Sequence, residues 1–328
     1  MPAFSIVIPN WNGKRFLAAC FDSIANQTLA KNQIETILVD DCSNDDSIDF
    51  TKEHYPWVRV IKKEHNSGFA QTVNVGIEAA TGSFITLLNN DTEVDPNWLE
   101  AMQEAINQFP EASFFASKML DFKDRTILDS CGDAMTWTGR SFPLGQLQKD
   151  GPEWNTPTSV FGACAGAAVY KKEVFEKIGL FDADFGTYLE DVDIDFRAQL
   201  AGFRCVFVPT ARVYHIGSAT AGKGSPFSFK MMIKNHFHLI YKNFPASKFR
   251  QNIGKLLYAE IRLMAAAIRQ GYLNEYFWAC GQAFRQWSVM RPKRRLIQAN
   301  RKVDDAYLDT VISSTFQYKP LVKALRHA

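Results

Sequence analysis

Oxygen-bearing side chains recur in this sequence at the ends of short apolar runs. The clearest case is Phe84–Leu88, which stops at Asn89-Asn90-Asp91. A hard divalent cation, Mg2+ or Mn2+, takes carboxylate oxygen and needs few protein ligands when it bridges a diphosphate. Asp91 is therefore a candidate ligand, with Asn89 and Asn90 placed to hold ligated waters or a ribose. The same residue types also make plain turns. Asp40 and Asp41 end the run Ile34–Val39. A carboxylate there accepts from a base N–H or a ribose hydroxyl, or closes an Asx-turn. Glu190-Asp191 follows Phe185 and Tyr188-Leu189. Apolar neighbours raise a carboxylate pKa by desolvation, so this pair is the general-base candidate. Asp191 equally reads as a helix N-cap with Glu190 solvated. Asp193 and Asp195 read as solvated positions on the helix that follows. His215 suits Mn2+ better than Mg2+, while His65, His236 and His238 have no comparable context.

These residues need a scaffold that collects strand ends. Phe4–Ile8, Ile34–Val39, Val58–Ile61 and Phe84–Leu88 read as strands buried on both faces. Between them, Leu17, Cys20, Phe21 and Ile24 fall at helical spacing, as do Ala70, Val73, Ile77 and Ala80. Strands alternating with helices imply a mostly parallel sheet with right-handed crossovers, and its polar clusters gather at one edge, where open α/β sheets bind ligands. Asp95-Pro96 reads as the start of a helix carrying Leu99, Met102 and Ile106. Residues 121–158 are rich in Gly, Pro, Asp and Thr and read as an insertion or long loops over the sheet edge. Arg204–Val208 and Arg212–His215 read as two extended pieces, and the glycine-rich Gly217–Ser225 as a mobile loop able to close over a diphosphate.

The 328 residues suit one large domain with additions or two domains. The six cysteines form no CxxC pair, which argues for reduced thiols and against a zinc site or a disulfide frame. No signal-peptide pattern and no spanning apolar run are expected. No strand is followed by Gly-x-Gly-x-x-Gly or by Gly-Lys-Ser/Thr, which argues against a dinucleotide dehydrogenase and a P-loop enzyme.

The net charge of +2 hides an asymmetry. Residues 241–328 hold 16 Lys and Arg against 5 Asp and Glu, leaving the preceding body at −9. In that tail Ile253, Leu257, Ile261, Met264 and Ile268 make one helical stripe, and Tyr276, Cys280, Phe284 and Trp287 a second. Arg291-Pro292-Lys293-Arg294-Arg295 follows. Apolar faces beside basic clusters fit helices lying on an anionic membrane surface, or two helices packed on the body. Nucleic acid is disfavoured, because the aromatics keep helical spacing and do not interleave with the basic cluster.

Taken in order, Ser5-Ile6-Val7-Ile8-Pro9-Asn10-Trp11-Asn12, Val39-Asp40-Asp41-Cys42-Ser43-Asn44-Asp45, Asn66-Ser67-Gly68-Phe69-Ala70, Leu88-Asn89-Asn90-Asp91, Gly179-Leu180-Phe181-Asp182, Glu190-Asp191-Val192-Asp193 and Val213-Tyr214-His215 form a set. The set resembles the family 2 glycosyltransferases of GT-A fold, and among them the bacterial rhamnosyltransferase-type enzymes of surface polysaccharide synthesis. The resemblance covers residues 4 to about 245. It implies a GT-A domain over 1–245, with a nucleotide-binding part to about 120 and an acceptor and catalytic part from about 121. The basic amphipathic helical region would be 246–328. It further implies an inverting transfer from a nucleotide-diphospho-sugar, with dTDP-L-rhamnose as the expected donor and a saccharide, lipid-linked, as acceptor. Pro9, Asn10, Asn12, Asp40, Asp41, Gly68, Asn89 and Asn90 would bind the donor. Asp91 and His215 would hold Mg2+ or Mn2+, and Asp191, with Glu190, would be catalytic. Trp11 stands where the family has Tyr, and Asn89 replaces the first Asp of its DxD motif. The expected location is cytoplasmic, at the inner face of the membrane. Two other readings stay open: a nucleotidyltransferase that makes nucleotide sugars, and a non-catalytic nucleotide-sugar-binding protein.

Overall fold

The computed structural model of the chain describes residues 3–217 and 225–314. The interior of the expected Gly217–Ser225 loop and the last part of the tail lie outside them. The first half runs Phe4–Asn10 (β1), Lys14–Ala25 (α1), Ile34–Asp40 (β2), Ser47–His54 (α2), Arg59–Lys62 (β3), Phe69–Ala79 (α3), Phe84–Leu88 (β4), Thr92–Val94 (β5) and Trp98–Gln108 (α4). Then come Ala112–Asp121 (β6), Leu128–Ser130 (β7), Asp133–Thr136 (β8), Ser141–Pro143 (β9), Thr158–Val160 (β10), Ala167–Lys171 (β11), Lys172–Ile178 (α5), Glu190–Leu200 (α6) and Arg204–His215 (β12). The rest is helical: Pro226–Asn243 (α7), Ala246–Gln251 (α8), Ile253–Gln270 (α9), Leu273–Arg285 (α10), Trp287–Ala299 (α11) and Asp305–Val311 (α12), closed by the short strand Ile312–Ser313 (β13).

The main sheet has the order β10-β12-β6-β11-β4-β1-β2-β3. From β4 through β1 and β2 to β3 every pair is parallel. The sheet is mixed beyond β4, because β11 runs antiparallel to both β4 and β6. Alternation along β1 explains how both faces are filled. Ile6 and Ile8 face a core with Leu17 and Phe21 of α1 and Trp98 and Met102 of α4. Val7 faces the opposite core with Val73 and Ile77 of α3.

Three expectations need correction. Helix α4 begins at Trp98, later than Asp95-Pro96, because Asp95 accepts from the Asn97 N–H and makes an Asx-turn, while Thr92–Val94 is a strand paired with β12. Residues 121–158 are not open loops. They form short strands, β8 and β9 making a small second sheet with β13. The two extended pieces near His215 are one strand, β12, with a register break between Val208 and Arg212.

A third core joins the small sheet to α6, α7 and α12 through Trp137, Phe196, Phe244 and Leu308. In the tail, the α9 stripe read from the sequence is the exposed face: Ile253, Leu257, Ile261 and Ile268 are each about half exposed or more. The second stripe splits. Tyr276 is buried in a cluster with Ile233 of α7, whereas Phe284 is 79% exposed.

Gly76 shows how tightly α3 lies on the sheet. A Cβ there would meet the Val7 side chain at 2.2 Å. Gly76→Ala gains about 1 kcal/mol of helix propensity but overpacks the core at about 1–3 kcal/mol. Thermal unfolding should therefore show net destabilisation, and an unchanged or raised midpoint would contradict the packing described.

Candidate active site

The ends of β1, β2 and β4 meet at one edge and are tied together by side-chain amides. Asn10 donates to Asp40 Oδ2 at 2.9 Å and accepts from Asn90 Nδ2 at 2.7 Å. Asp40 also accepts from the Ser43 N–H and hydroxyl. Asn12 takes a left-handed φ of 52° and accepts from the Asn44 N–H, locking the turn after β1 to the turn after β2. Pro9 pairs in register with Val39 beside it. Asp41 is held from the other side by Lys63 Nζ at 2.6 Å and by the Ser67 and Gly68 N–H groups at 3.0 Å each. Gly68 has φ 84° and a Cβ on it would meet the Gly186 carbonyl at 3.3 Å, so the second half of the chain approaches here. Seven of the eight residues expected to bind a donor thus share one rim; the eighth, Asn89, directly follows β4 and donates its N–H to the Gly166 carbonyl at 3.0 Å.

Asp91 lies just past β4 and is 6% exposed. His215, at the end of β12, brings Nε2 to 3.4 Å from Asp91 Oδ1. Its other nitrogen, Nδ1, faces Asp129 Oδ2 at 2.7 Å. Burial alone would lower the imidazole pKa. The Asp129 hydrogen bond and the nearby Asp91 outweigh it and raise the pKa to about 9. The pair fits one divalent ion: a carboxylate oxygen and an imidazole nitrogen converge, and a carboxylate fixes the imidazole from behind, as second-shell carboxylates do for metal-bound histidines. No group of three or more such ligands occurs among the described residues. Among the described residues the carboxylate and imidazole ligands here are thus two, a number that suits a cation which also takes a diphosphate.

Glu190 and Asp191 open α6. Asp191 accepts from the Val192 N–H at 2.8 Å and from the Ala165 N–H at 3.5 Å. Burial raises its pKa, and these N–H groups counter part of that. Glu190 is buried too, with Oε2 lacking a protein partner; burial and then the Asp191 charge push its pKa well up. Asp133, buried on β8, is raised to about 8 by burial, then by Asp191 and Asp129. Asp129 and Asp133 are the residues sequence reasoning missed. They flank Ser130-Cys131-Gly132 in the irregular segment, and their spacing alone is a weak signal.

Asp193 and Asp195 are not solvated; both are fully buried. Asp195 accepts from the Ala163 N–H and Tyr170 hydroxyl, fixing the loop that carries Ala165. Asp193 accepts from Arg197, Lys242 and Asn243. Nor is His236 without context, since it pairs with Glu260 at 2.9 Å.

The turn before α6 is strained. Tyr188 and Leu189 both adopt left-handed φ, 73° and 62°, a conformation costing about 1–3 kcal/mol per residue. Helix α7 holds it in place. Asn235 Nδ2 lies 2.9, 3.0 and 2.6 Å from the carbonyls of Phe185, Thr187 and Tyr188. Lys242 bridges Asp182 and Asp193 at 2.6 and 2.8 Å. Burial pushes the Asp182 pKa up, but Lys242 and then Lys293 of α11 outweigh it and hold the carboxyl far below its usual range.

With this geometry in hand, residues 5–179 match the family model described as glycosyl transferase family 2. The O-antigen biosynthesis protein RfbC of Myxococcus xanthus is 29% identical over 232 residues, 67% of this chain; that match spans 18% of the relative's own length. Among solved structures, GalNAc-T7 with UDP, GalNAc and Mn2+ superposes with a TM-score of 0.60 at 20% identity, over 74% of this chain and 48% of that one. S. aureus TarS 1-349 in complex with UDP-GlcNAc superposes at 0.58 and 18% identity, over 92% and 88%. The fold is that of the GT-A glycosyltransferases.

Two measurements probe the Asp91–His215–Asp129 chain. Asp129→Asn should weaken Mn2+ binding, titrated with nucleoside diphosphate present, by about tenfold or more with little change in melting temperature. Unaltered affinity would remove Asp129 from the site. Below about pH 9 the His215 ring is protonated, and a metal must displace the Nε2 proton. Affinity should therefore rise with pH, about tenfold per unit, and flatten near pH 9. A flat profile from pH 6.5 upward would exclude His215 as a ligand.

Proposed function

The chain belongs to glycosyl transferase family 2, and from that premise we propose that it transfers a sugar, with inversion, from a nucleotide-diphospho-sugar to a saccharide acceptor. One observation carries this reading: Asp91, His215 and Asp129 are in contact, and the buried Asp133 feels the charges of both Asp129 and Asp191. The residues we assign to the diphosphate site and to the general base would thus adjoin. The nucleotide would lie along the rim made by Pro9, Asn10, Asn12, Asp40, Asp41 and Gly68, with Asn89 and Asn90 beneath the diphosphate, in a donor half of about 1–120. Residues 121–245 would take the acceptor.

Asp91 and His215 would hold Mg2+ or Mn2+, in line with the Mn2+ in the GalNAc-T7 crystal. When bound, the ion supplies Lewis-acid neutralisation of the departing diphosphate. The chain's own residues do the rest. Asp191 accepts the proton of the acceptor hydroxyl, and that oxygen attacks C1 from the face opposite the leaving nucleoside diphosphate. Burial and the neighbouring Asp191 charge push the Glu190 and Asp133 pKa values up, which favours their protonated forms beside Asp191. Helix α7 fixes the α6 N-terminus, so the base does not have to be ordered at each turnover.

The donor we favour is dTDP-L-rhamnose, on the resemblance to rhamnosyltransferase-type enzymes, for bacterial cell-surface polysaccharide synthesis. The acceptor would be lipid-linked, with the enzyme cytoplasmic and peripheral at the inner membrane face. Among the described residues no helix is long and apolar enough to cross a membrane. The support for surface contact is the exposed α9 stripe together with the basic 246–328 region, each basic residue near anionic lipid adding about 1 kcal/mol.

Asp191→Asn should keep nucleotide-sugar binding and lower transfer by at least about a hundredfold; wild-type turnover would refute the assigned base. Release of pyrophosphate from a nucleoside triphosphate and a sugar phosphate would instead mark a nucleotidyltransferase. Deleting the whole tail would strip α7 of its cover, so the membrane claim is better tested on its surface. Leu257→Glu with Ile261→Glu should reduce sedimentation with phosphatidylglycerol vesicles at least about tenfold. Undiminished sedimentation would contradict it.

A further inference from the structure

A cavity lies between α7, α8, α10 and α11. Its volume is about 300 Å³, and its walls include His238, Ile240, Cys280, Ala283, Phe284 and Trp287. Among the described residues no carboxylate lines it. That volume is at the low end for small-molecule sites, and the wall is far more apolar than such sites usually are. Two of the wall residues, Phe284 and Trp287, are also strongly solvent-exposed. Exposed aromatics at the mouth of an apolar cavity are costly in a chain that meets only water.

The histidine in the wall is neutral. Burial, then the Lys234 charge, lower its pKa to about 4. Neither ring nitrogen has a protein partner, and its ring lies edge-on to Phe185 in the catalytic turn, at 6.0 Å. Exposed arginines stand next to the wall in sequence. Arg250, Arg285 and Arg291 are exposed, and each directly follows a wall residue: Phe249, Phe284 and Met290. An uncharged cavity whose wall residues are followed by exposed arginines on three helices suits a ligand with a hydrocarbon tail and an anionic head.

We propose that this cavity binds one acyl chain of an anionic phospholipid, whose headgroup phosphate meets the arginines beside Phe249, Phe284 and Met290. The inference rests on the membrane reading above and adds a defined site to it. The α9 stripe lies on the surface, whereas the cavity takes a chain out of the bilayer and seats it against α7. Helix α7 carries Asn235 and Lys242, which fix the turn before the general base. Lipid occupancy would thus rest on the same helix that sets the catalytic geometry.

The test uses the full chain and lysophosphatidylglycerol below its micelle concentration, with phosphatidylglycerol vesicles in parallel. The lysolipid should bind one to one by calorimetry. It should slow maleimide labelling of Cys280 while leaving that of Cys42, at the nucleotide rim, unchanged. Affinity should rise about fourfold per added methylene until the cavity is filled. Ala283→Trp, which fills the cavity, should lose at least tenfold in lysolipid affinity and still sediment with vesicles. If the wild type sediments with vesicles but the lysolipid neither binds nor protects Cys280, the cavity proposal falls and the membrane reading stands. Wild-type lysolipid affinity in a folded Ala283→Trp protein overturns the proposal as well. If neither lysolipid nor vesicles bind, both fall. Should Ala283→Trp fail to fold, Cys280 protection in the wild type decides alone. Protection that follows protein concentration and not lipid would assign the cavity to a second copy of the chain and overturn the proposal.

Discussion

The structure is organised around buried like charge. Asp91, Asp129, Asp133, Glu190, Asp191 and Asp195 crowd the edge where β4, β8, β12 and α6 meet. Two unit charges 4 Å apart repel by about 4 kcal/mol at an effective dielectric of 20. Such a cluster persists only if protons, hydrogen-bond donors or a cation answer each carboxylate. Every one of these answers is visible. Glu190 and Asp133 are pushed towards their protonated forms. Asp195 has a hydroxyl and an N–H. Asp91 and Asp129 have the His215 ring between them. Asp191 accepts one N–H at 2.8 Å and another only at 3.5 Å, and burial raises its pKa. A buried carboxylate with a raised pKa and one loosely held oxygen suits proton abstraction from a hydroxyl.

That arrangement costs conformational strain, and α7 meets the cost. The left-handed pair Tyr188-Leu189 turns the chain so that α6 points its first turn into the cluster. Asn235, Lys242 and Asn243 grip the segment on both sides of that pair. Lys293 of α11 reaches the same Asp182 that Lys242 holds, along with Asp184. The basic tail is therefore coupled to the catalytic turn by ion pairs, and its charge has a folded-state use besides any attraction to a surface.

Much of the site was legible because its residues end short apolar runs. Asp40 and Asp91 stand out as candidates that way, and their strands both pair in parallel with β1 as the alternation of strands and helices implies. The α9 stripe was legible because one helix face shows its period directly. What stayed hidden depends on distant partners. Nothing near Asp193 in sequence announces Lys242 and Asn243, and nothing near Asp195 announces Tyr170, so both looked solvated. Asp129 and Asp133 sit in a stretch without periodicity, where only the folding of residues 121–158 over the sheet edge brings them to His215 and Asp191. The reversal at β11 was invisible for a similar reason: a strand buried on both faces looks the same in either direction.

The central claim is that the Asp91–His215 pair and the amide-tied rim form one donor site. Calorimetric titration with a panel of nucleotide-diphospho-sugars, with and without Mn2+, tests it most directly. The account predicts that one member binds one to one, that Mn2+ tightens it, and that His215→Ala abolishes the tightening while leaving residual nucleotide binding. Metal-independent binding of the same ligand, equal in wild type and His215→Ala, would contradict it.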